Sequence, residues 1–282
     1  MAGEGAATER AQGGSGAPTE RTRLRRFPEQ GSHERAALEA VRDAGFLCHL
    51  GVVVDGWPMV VPTTYGRAGD RLYLHGSVAS RSVRRARGNP VCVTVTHLGG
   101  IVLARSVFNE AANDRAAMIY GEAEALTEPD DKRAALRAIS EQVLPGQWEY
   151  ARAPSDQELA QTSVVALGLA EASVKVRAGP PDDGDGPDGL LSLWAGELPA
   201  RMAFGPARPA PGLNPAIAVP PHRRRWLGRS MPRPGRGGAS PVPGSRRVGP
   251  GTGRAAAGSP HPVASWIRSP GNGRRPARAR AG

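Results

Sequence analysis

The turns in this chain come too close together for anything but antiparallel pairing. Residues 46–54 and 57–65 are rich in Val, Leu, Thr and aromatics, and only Asp55-Gly56 separates them. Asp-Gly is favoured in two-residue hairpin turns because both central positions take positive φ. Gly69-Asp70 turns the chain again into the strand-like run 71–75, and Gly99-Gly100 lies between the runs 91–97 and 101–108. Parallel neighbours need crossovers of about a dozen residues or more, which these gaps cannot hold. With 116–126, 162–169 and 172–177 the chain offers about seven short β-segments. The expected class is mostly β, an antiparallel barrel decorated by helices.

Helical patterns fall between the strands. Residues 32–44 place Ala36, Leu38, Val41 and Ala44 near helical spacing, with Ser32 as N-cap and Gly45 as stop. Residues 77–87 form a basic helix ended by Gly88-Asn89-Pro90. Thr127-Glu128-Pro129-Asp130 opens a helix that runs to about Leu144, and Ser155 with Glu158 is a capping box. A Pro/Asp/Gly loop at 179–189 precedes the last apolar stretch, 190–204.

Charge divides the chain. The formal net charge is +11, yet residues 221–282 hold 14 Arg and no acid. Residues 1–220 then carry 23 basic and 26 acidic side chains, a net −3. The nucleic-acid reading that a high isoelectric point invites therefore attaches only to the tail. An acid-free Arg tail suits a basic arm for nucleic acid or anionic lipid. It is also the composition that GC-rich DNA gives in a wrong reading frame. The expected organisation is a disordered leader at 1–26, a folded domain at 27–215, and a tail at 216–282. The two cysteines, Cys48 and Cys92, sit in apolar runs without metal-ligand spacing, which fits a reducing cytoplasm. The N-terminal stretch lacks the apolar run of a secretory signal, and no window is apolar enough to span a membrane.

Two motifs fail on context. Residues 184–189 match GxGxxG, but Pro180-Pro181 precede them and four Asp surround them, so no strand feeds a phosphate loop. The same acids lack the EF-hand spacing. No metal site is expected, and spacing names no catalytic acid or base.

The informative stretch is 60–88. A strand delivers Leu72 to Leu74 and breaks at His75-Gly76. A helix is then expected, with Ser77, Ser80 and Arg81 in its first turns. Helix-start N–H groups, two hydroxyls and a guanidinium can cradle a phosphate. Pro62-Thr63-Thr64-Tyr65-Gly66, the run from Leu72 to Arg81, and Val91-Cys92-Val93-Thr94-Val95-Thr96 follow in order. Leu103-Ala104-Arg105-Ser106, Asn113-Asp114-Arg115 and the run from Ala172 to Pro181 complete the series.

In these motifs and their order the chain resembles the pyridoxamine 5′-phosphate oxidase-like flavoproteins, in particular the bacterial flavin-nucleotide-binding subgroup, over roughly 27–215. The resemblance implies a six-stranded antiparallel split β-barrel that binds FMN and forms a homodimer, with the flavin sites shared between subunits. It implies that Ser77, Ser80 and Arg81 hold the FMN phosphate and that His75 lies near the ribityl end. Val61, Pro62, Thr63 and Thr64 would run along the isoalloxazine edge. Asn113 and Arg115 would come from the partner chain, and Trp194 would line the pocket. The Tyr-Phe…Arg-Pro…Ser-Gln run that grips the vitamin's phosphate in true oxidases is absent, and Asp114 stands where the subgroup commonly has an aromatic. The expected function is flavin-dependent oxidoreduction on a small-molecule substrate. A non-catalytic flavin-sensing module and an F420-dependent reductase are the alternatives.

Overall fold

The computed structural model describes residues 18–224. These lie in the first of two units, Met1–Ala239; the second, Ser240–Gly282, is outside the described residues, as is most of the Arg-rich tail. The elements are β1 (Gly31–Ser32), α1 (Arg35–Arg42), β2 (Leu47–Val54), β3 (Trp57–Ala68), β4 (Arg71–Ser77) and α2 (Arg81–Ala86). There follow β5 (Pro90–Leu103), β6 (Ala111–Glu122), β7 (Glu124–Leu126), α3 (Pro129–Val143), α4 (Gln147–Tyr150) and α5 (Asp156–Ala160). Last come β8 (Thr162–Gly168), β9 (Glu171–Arg177), β10 (Gly196–Pro199) and α6 (Pro221–Arg224).

These strands pair antiparallel throughout, in the order β1-β9-β6-β5-β2-β3-β4-β8-β7, with β10 added to β5. The mostly β, antiparallel architecture agrees with the expected split barrel, but the sheet has ten strands and not six. Short strands, β1 and β7, extend it at both ends. Alternation explains which side chains turn inward. Cys48, Leu50, Val52 and Val54 of β2 meet Leu72 and Leu74, Val91, Val93 and Val95, Ile119, and Val165 and Leu167 there. A second cluster, Leu126, Ala135, Val164 and Ala166, packs with Tyr73 on the other side of β4 and β8, under α3. Among the described residues no helix is long and apolar enough to cross a membrane.

The Asp55-Gly56 turn forms as read, with φ of 51° and 81°, and so does the Ser155–Glu158 capping box. Gly99-Gly100 is not a turn. It lies inside the 14-residue β5, where the register to β6 shifts between Leu98 and Gly100. A Cβ on Gly100 would lie 2.8 Å from the Leu198 carbonyl oxygen. That glycine therefore serves the close approach of β10. Ser32 is not the cap of α1. It pairs in β1 with Val174, its Oγ accepts from the Glu34 amide, and the helix starts after Glu34. Order also begins before Arg26. Thr22 is buried, and Thr19 Oγ1 and Arg21 both donate to Glu171 on β9.

Strand β3 belongs to two ladders. Residues 57–64 pair with β2, whereas only 65–68 pair with β4. The other edge of 57–64 has no strand partner among the described residues. Pro58 and Pro62, which cannot donate to a ladder, mark it as an edge in the sequence.

Candidate functional site

The predicted site residues fall into two groups. The first surrounds the split in β3. Val61, Pro62, Thr63 and Thr64 lie opposite Leu50, His49, Cys48 and Leu47 of β2, with their other edge open. Thr63 and Thr64 are half-buried. Beyond the β3–β4 turn, β4 continues through His75 to Ser77, which pairs with Thr162 of β8.

The expected helix 77–87 is thus shorter at its start. The β8 ladder holds Ser77 in the strand, and Ser80 is the N-cap of α2. Two hydroxyls shape the turn between them. Ser77 Oγ accepts from the Ala79 amide at 3.2 Å, and Ser80 Oγ accepts from the Val83 amide at 3.5 Å. A Cβ on Gly76 would sit 3.2 Å from Ser80 Cβ and 2.9 Å from Val83 Cγ2, so glycine is what lets α2 fold back onto β4.

Arg81 and Arg85 reach to the β2–β3 hairpin. Arg81 Nη2 donates to Asp55 Oδ2 at 2.5 Å, and Arg85 Nε donates to the Val53 carbonyl at 3.0 Å. Both members of the Arg81–Asp55 pair are solvent-exposed. An exposed ion pair is weakly held, so a phosphate dianion can take the guanidinium from the carboxylate. Asp55 was visible in the sequence only as a turn residue. His75 is half-buried, its Nδ1 is shielded from water without a hydrogen-bond partner, and burial lowers its pKa. The imidazole is therefore neutral at neutral pH.

The second group sits at the far end of β5 and β6. Asn113 pairs with Gly100 and is buried. Its Nδ2 donates to the Gly179 carbonyl at 3.1 Å and to Glu197 Oε2 at 2.7 Å, while its Oδ1 accepts from Arg177. The side chain thus ties the C-terminal segment to the sheet. Arg115 pairs with His97 in register, and Trp194, 64% exposed, stands just before β10. Arg105, whose backbone and side chain both donate to buried Asp183, anchors the acidic loop nearby.

The two groups stand on different strands of one chain. Val61 and Pro62 are level, through Leu50 and His49 of β2, with Val93 and Thr94 of β5, while Arg115 is level with His97 and Asn113 with Gly100. Strands β2 and β5 lie between the two groups, about 14 Å across the sheet at ~4.8 Å per strand. The outer sheet face also carries an open groove of about 460 Å³, lined by Val53, Pro58, Val60, Cys92 and Tyr120 among others. Val60 is 65% exposed there. An exposed apolar face beside an open strand edge suits a flat aromatic ring or a second protein surface. Among the described residues no cluster of His, Cys, Asp and Glu could hold a metal ion.

Comparison with known proteins identifies the family. The family model described as pyridoxamine 5′-phosphate oxidase matches residues 34–176. The chain is 37% identical to the flavocytochrome Anf3 from Azotobacter vinelandii, with a TM-score of 0.70 over 76% of this chain and 100% of that one. It is 34% identical to the FAD and heme binding protein from Mycobacterium smegmatis, with a TM-score of 0.68 over 72% of this chain and 98% of that one. No curated protein matches. The fold, the order of the motifs and these matches place the chain in the pyridoxamine 5′-phosphate oxidase family.

Proposed function

We propose that this protein binds a flavin nucleotide and uses it for oxidoreduction of a small molecule. The observation that carries the reading is the open edge of β3 at 61–64 beside the Ser77–Ser80–Arg81 turn. Ser77, Ser80 and Arg81 would hold the phosphate, and the backbone of 61–64 would meet the polar edge of the ring. A bound flavin supplies hydride or single-electron transfer. The chain's own contribution is to bind the phosphate, orient the ring and keep water from its face.

The site is complete only in a homodimer. Within one chain β2 and β5 lie between 61–64 and the strand that carries Asn113 and Arg115, so a second copy would bring its own Asn113, Arg115 and Trp194 to the ring. FMN is the flavin expected from the sequence. The description of the Mycobacterium smegmatis protein makes FAD its competitor, and F420 is the third candidate. Extraction and chromatography of the cofactor from purified protein distinguishes the three. A colourless protein that takes up neither FMN nor FAD would overturn the reading. Reduction by a nicotinamide donor, followed in a stopped-flow instrument, separates an enzyme from a flavin-sensing module.

A second reading adds haem, because both solved structures named above are described with a haem group or as a flavocytochrome. Haem needs an axial side chain. His49 fits, being exposed on the outer sheet face opposite Pro62 and Thr94, with no hydrogen-bond partner among the described residues. A Soret band that His49→Ala removes while flavin absorption stays would support it.

A further inference from the structure

The tip of the β2–β3 hairpin overhangs α2. Val54 and Trp57 are an in-register pair, so their side chains leave the same face of the hairpin. Val54 is buried in the core cluster that also holds Val83 and Ala86 of α2. Trp57 therefore stands on the α2 side of the tip, yet it is 77% exposed. Two contacts fix α2 there, Arg81 to the Asp55 carboxylate and Arg85 Nε to the Val53 carbonyl. Val53 is opposite Pro58, so Arg85 is held at the ladder position next to Trp57.

Arg81, Arg84 and Arg85 are i, i+3 and i+4 neighbours on this short helix and share one side of it. Among the described residues Asp55, on Arg81, is the only carboxylate that pairs with any of the three. The Arg84 guanidinium and the Nη1 and Nη2 groups of Arg85 have no partner among them. The folded body is otherwise mildly acidic, so these like charges stand together against its general balance, and an anion between them relieves their repulsion. A guanidinium fork matches phosphate oxygens, and an open indole face takes a stacked base. A bare phosphate uses only the arginines, and an acidic peptide gives the indole no flat partner. A nucleotide uses both.

We propose that the hairpin tip and α2 bind the adenosine-diphosphate half of a redox dinucleotide. The adenine stacks on Trp57, and the phosphates meet the free guanidiniums of Arg84 and Arg85, beside the turn at Ser77, Ser80 and Arg81. Two molecules carry this group, a flavin dinucleotide and a nicotinamide electron donor. The redox part of the assignment rests on the flavin reading, whereas ADP alone probes the site without it.

The experiment titrates the full-length protein with ADP, adenosine, inorganic pyrophosphate and a short polyglutamate peptide, with calorimetric heat as the readout. ADP should bind about tenfold or more tightly than adenosine or pyrophosphate, each of which keeps only part of the contacts. Trp57→Ala should weaken ADP about tenfold, as loss of one stacked base does, and leave pyrophosphate unchanged. Trp57→Phe should restore most of that loss. Arg84→Ala combined with Arg85→Ala should weaken ADP and pyrophosphate alike, about tenfold or more. All three side chains are exposed, so these variants keep the fold. The Arg-rich tail is common to every variant, and its own affinity for phosphates cancels in the comparison. Bound ADP is then displaced with FAD and, in FMN-loaded protein, with NADH and NADPH. Displacement by FAD identifies the flavin's own adenylate as the occupant, and displacement by a nicotinamide nucleotide identifies the electron donor. Colourless protein that still binds ADP through Trp57 would sink the flavin reading and keep the nucleotide site. ADP no tighter than pyrophosphate, ADP binding unchanged in Trp57→Ala, or a peptide that outcompetes ADP would overturn the proposal.

Discussion

In the proposed phosphate cradle, Asp55 is an internal stand-in for the ligand of Arg81. The carboxylate on the β2–β3 turn takes the guanidinium that the flavin phosphate would need. Asp55→Asn should therefore leave the fold intact and tighten flavin binding about two- to fivefold, whereas Arg81→Ala should weaken it about tenfold or more. Fluorescence-quenching titration of flavin reads both. His97 gives a pH prediction. Its Nε2 lies 2.8 Å from the Val41 carbonyl, and burial holds its pKa below the ordinary 6.5 despite that bond, with Arg115 adding to the depression. In the unfolded chain the ring takes up its proton near that ordinary value; in the folded chain it resists. Stability should be full above about pH 6.5 and fall as the pH drops towards the folded value. His75 adds to the same slope by its burial. His97→Gln should shrink the difference between urea midpoints measured at about pH 7.5 and 5.

Among the elements, β3 and α3 are tied by a glycine. A Cβ on Gly66 would lie 2.2 Å from the Ile139 amide nitrogen, in the middle of α3. Gly66→Ala should destabilise by about 3 kcal/mol. Gly69→Ala meets open space and carries only the strain of its positive φ, about 1 kcal/mol; guanidinium melts compare the two. Local signals were legible where local chemistry decides. The Asp55-Gly56 turn and the Ser155 box needed no distant partner. Gly99-Gly100 and Ser32 misled because their partners lie far along the chain, Leu198 in β10 for the first and Val174 in β9 for the second. The end of β4 was misread for the same reason, since β8 keeps Ser77 in strand.

On the scale of the whole molecule, the sequence motifs located the family. They did not show that Asn113 is engaged by the chain's own Gly179, Arg177 and Glu197, because those bonds depend on the path of the C-terminal segment. Light scattering coupled to gel filtration should report a dimer. Removal of residues 225–282 should leave the dimer and its flavin unchanged and remove any binding to nucleic acid or anionic vesicles, because the folded body is mildly acidic.

The split in β3 carries a hazard as well as a site. A strand edge with open hydrogen-bonding groups, next to Trp57 and Val60, is a template for any other extended chain. Pro58 and Pro62 blunt it only in part. Whatever seats on 57–64 therefore guards against edge-to-edge association, and cofactor supply becomes a matter of colloidal stability. Protein stripped of flavin should scatter light and bind an amyloid dye sooner on gentle heating than loaded protein. Lysine placed at Val60 should delay that onset without any cofactor at all.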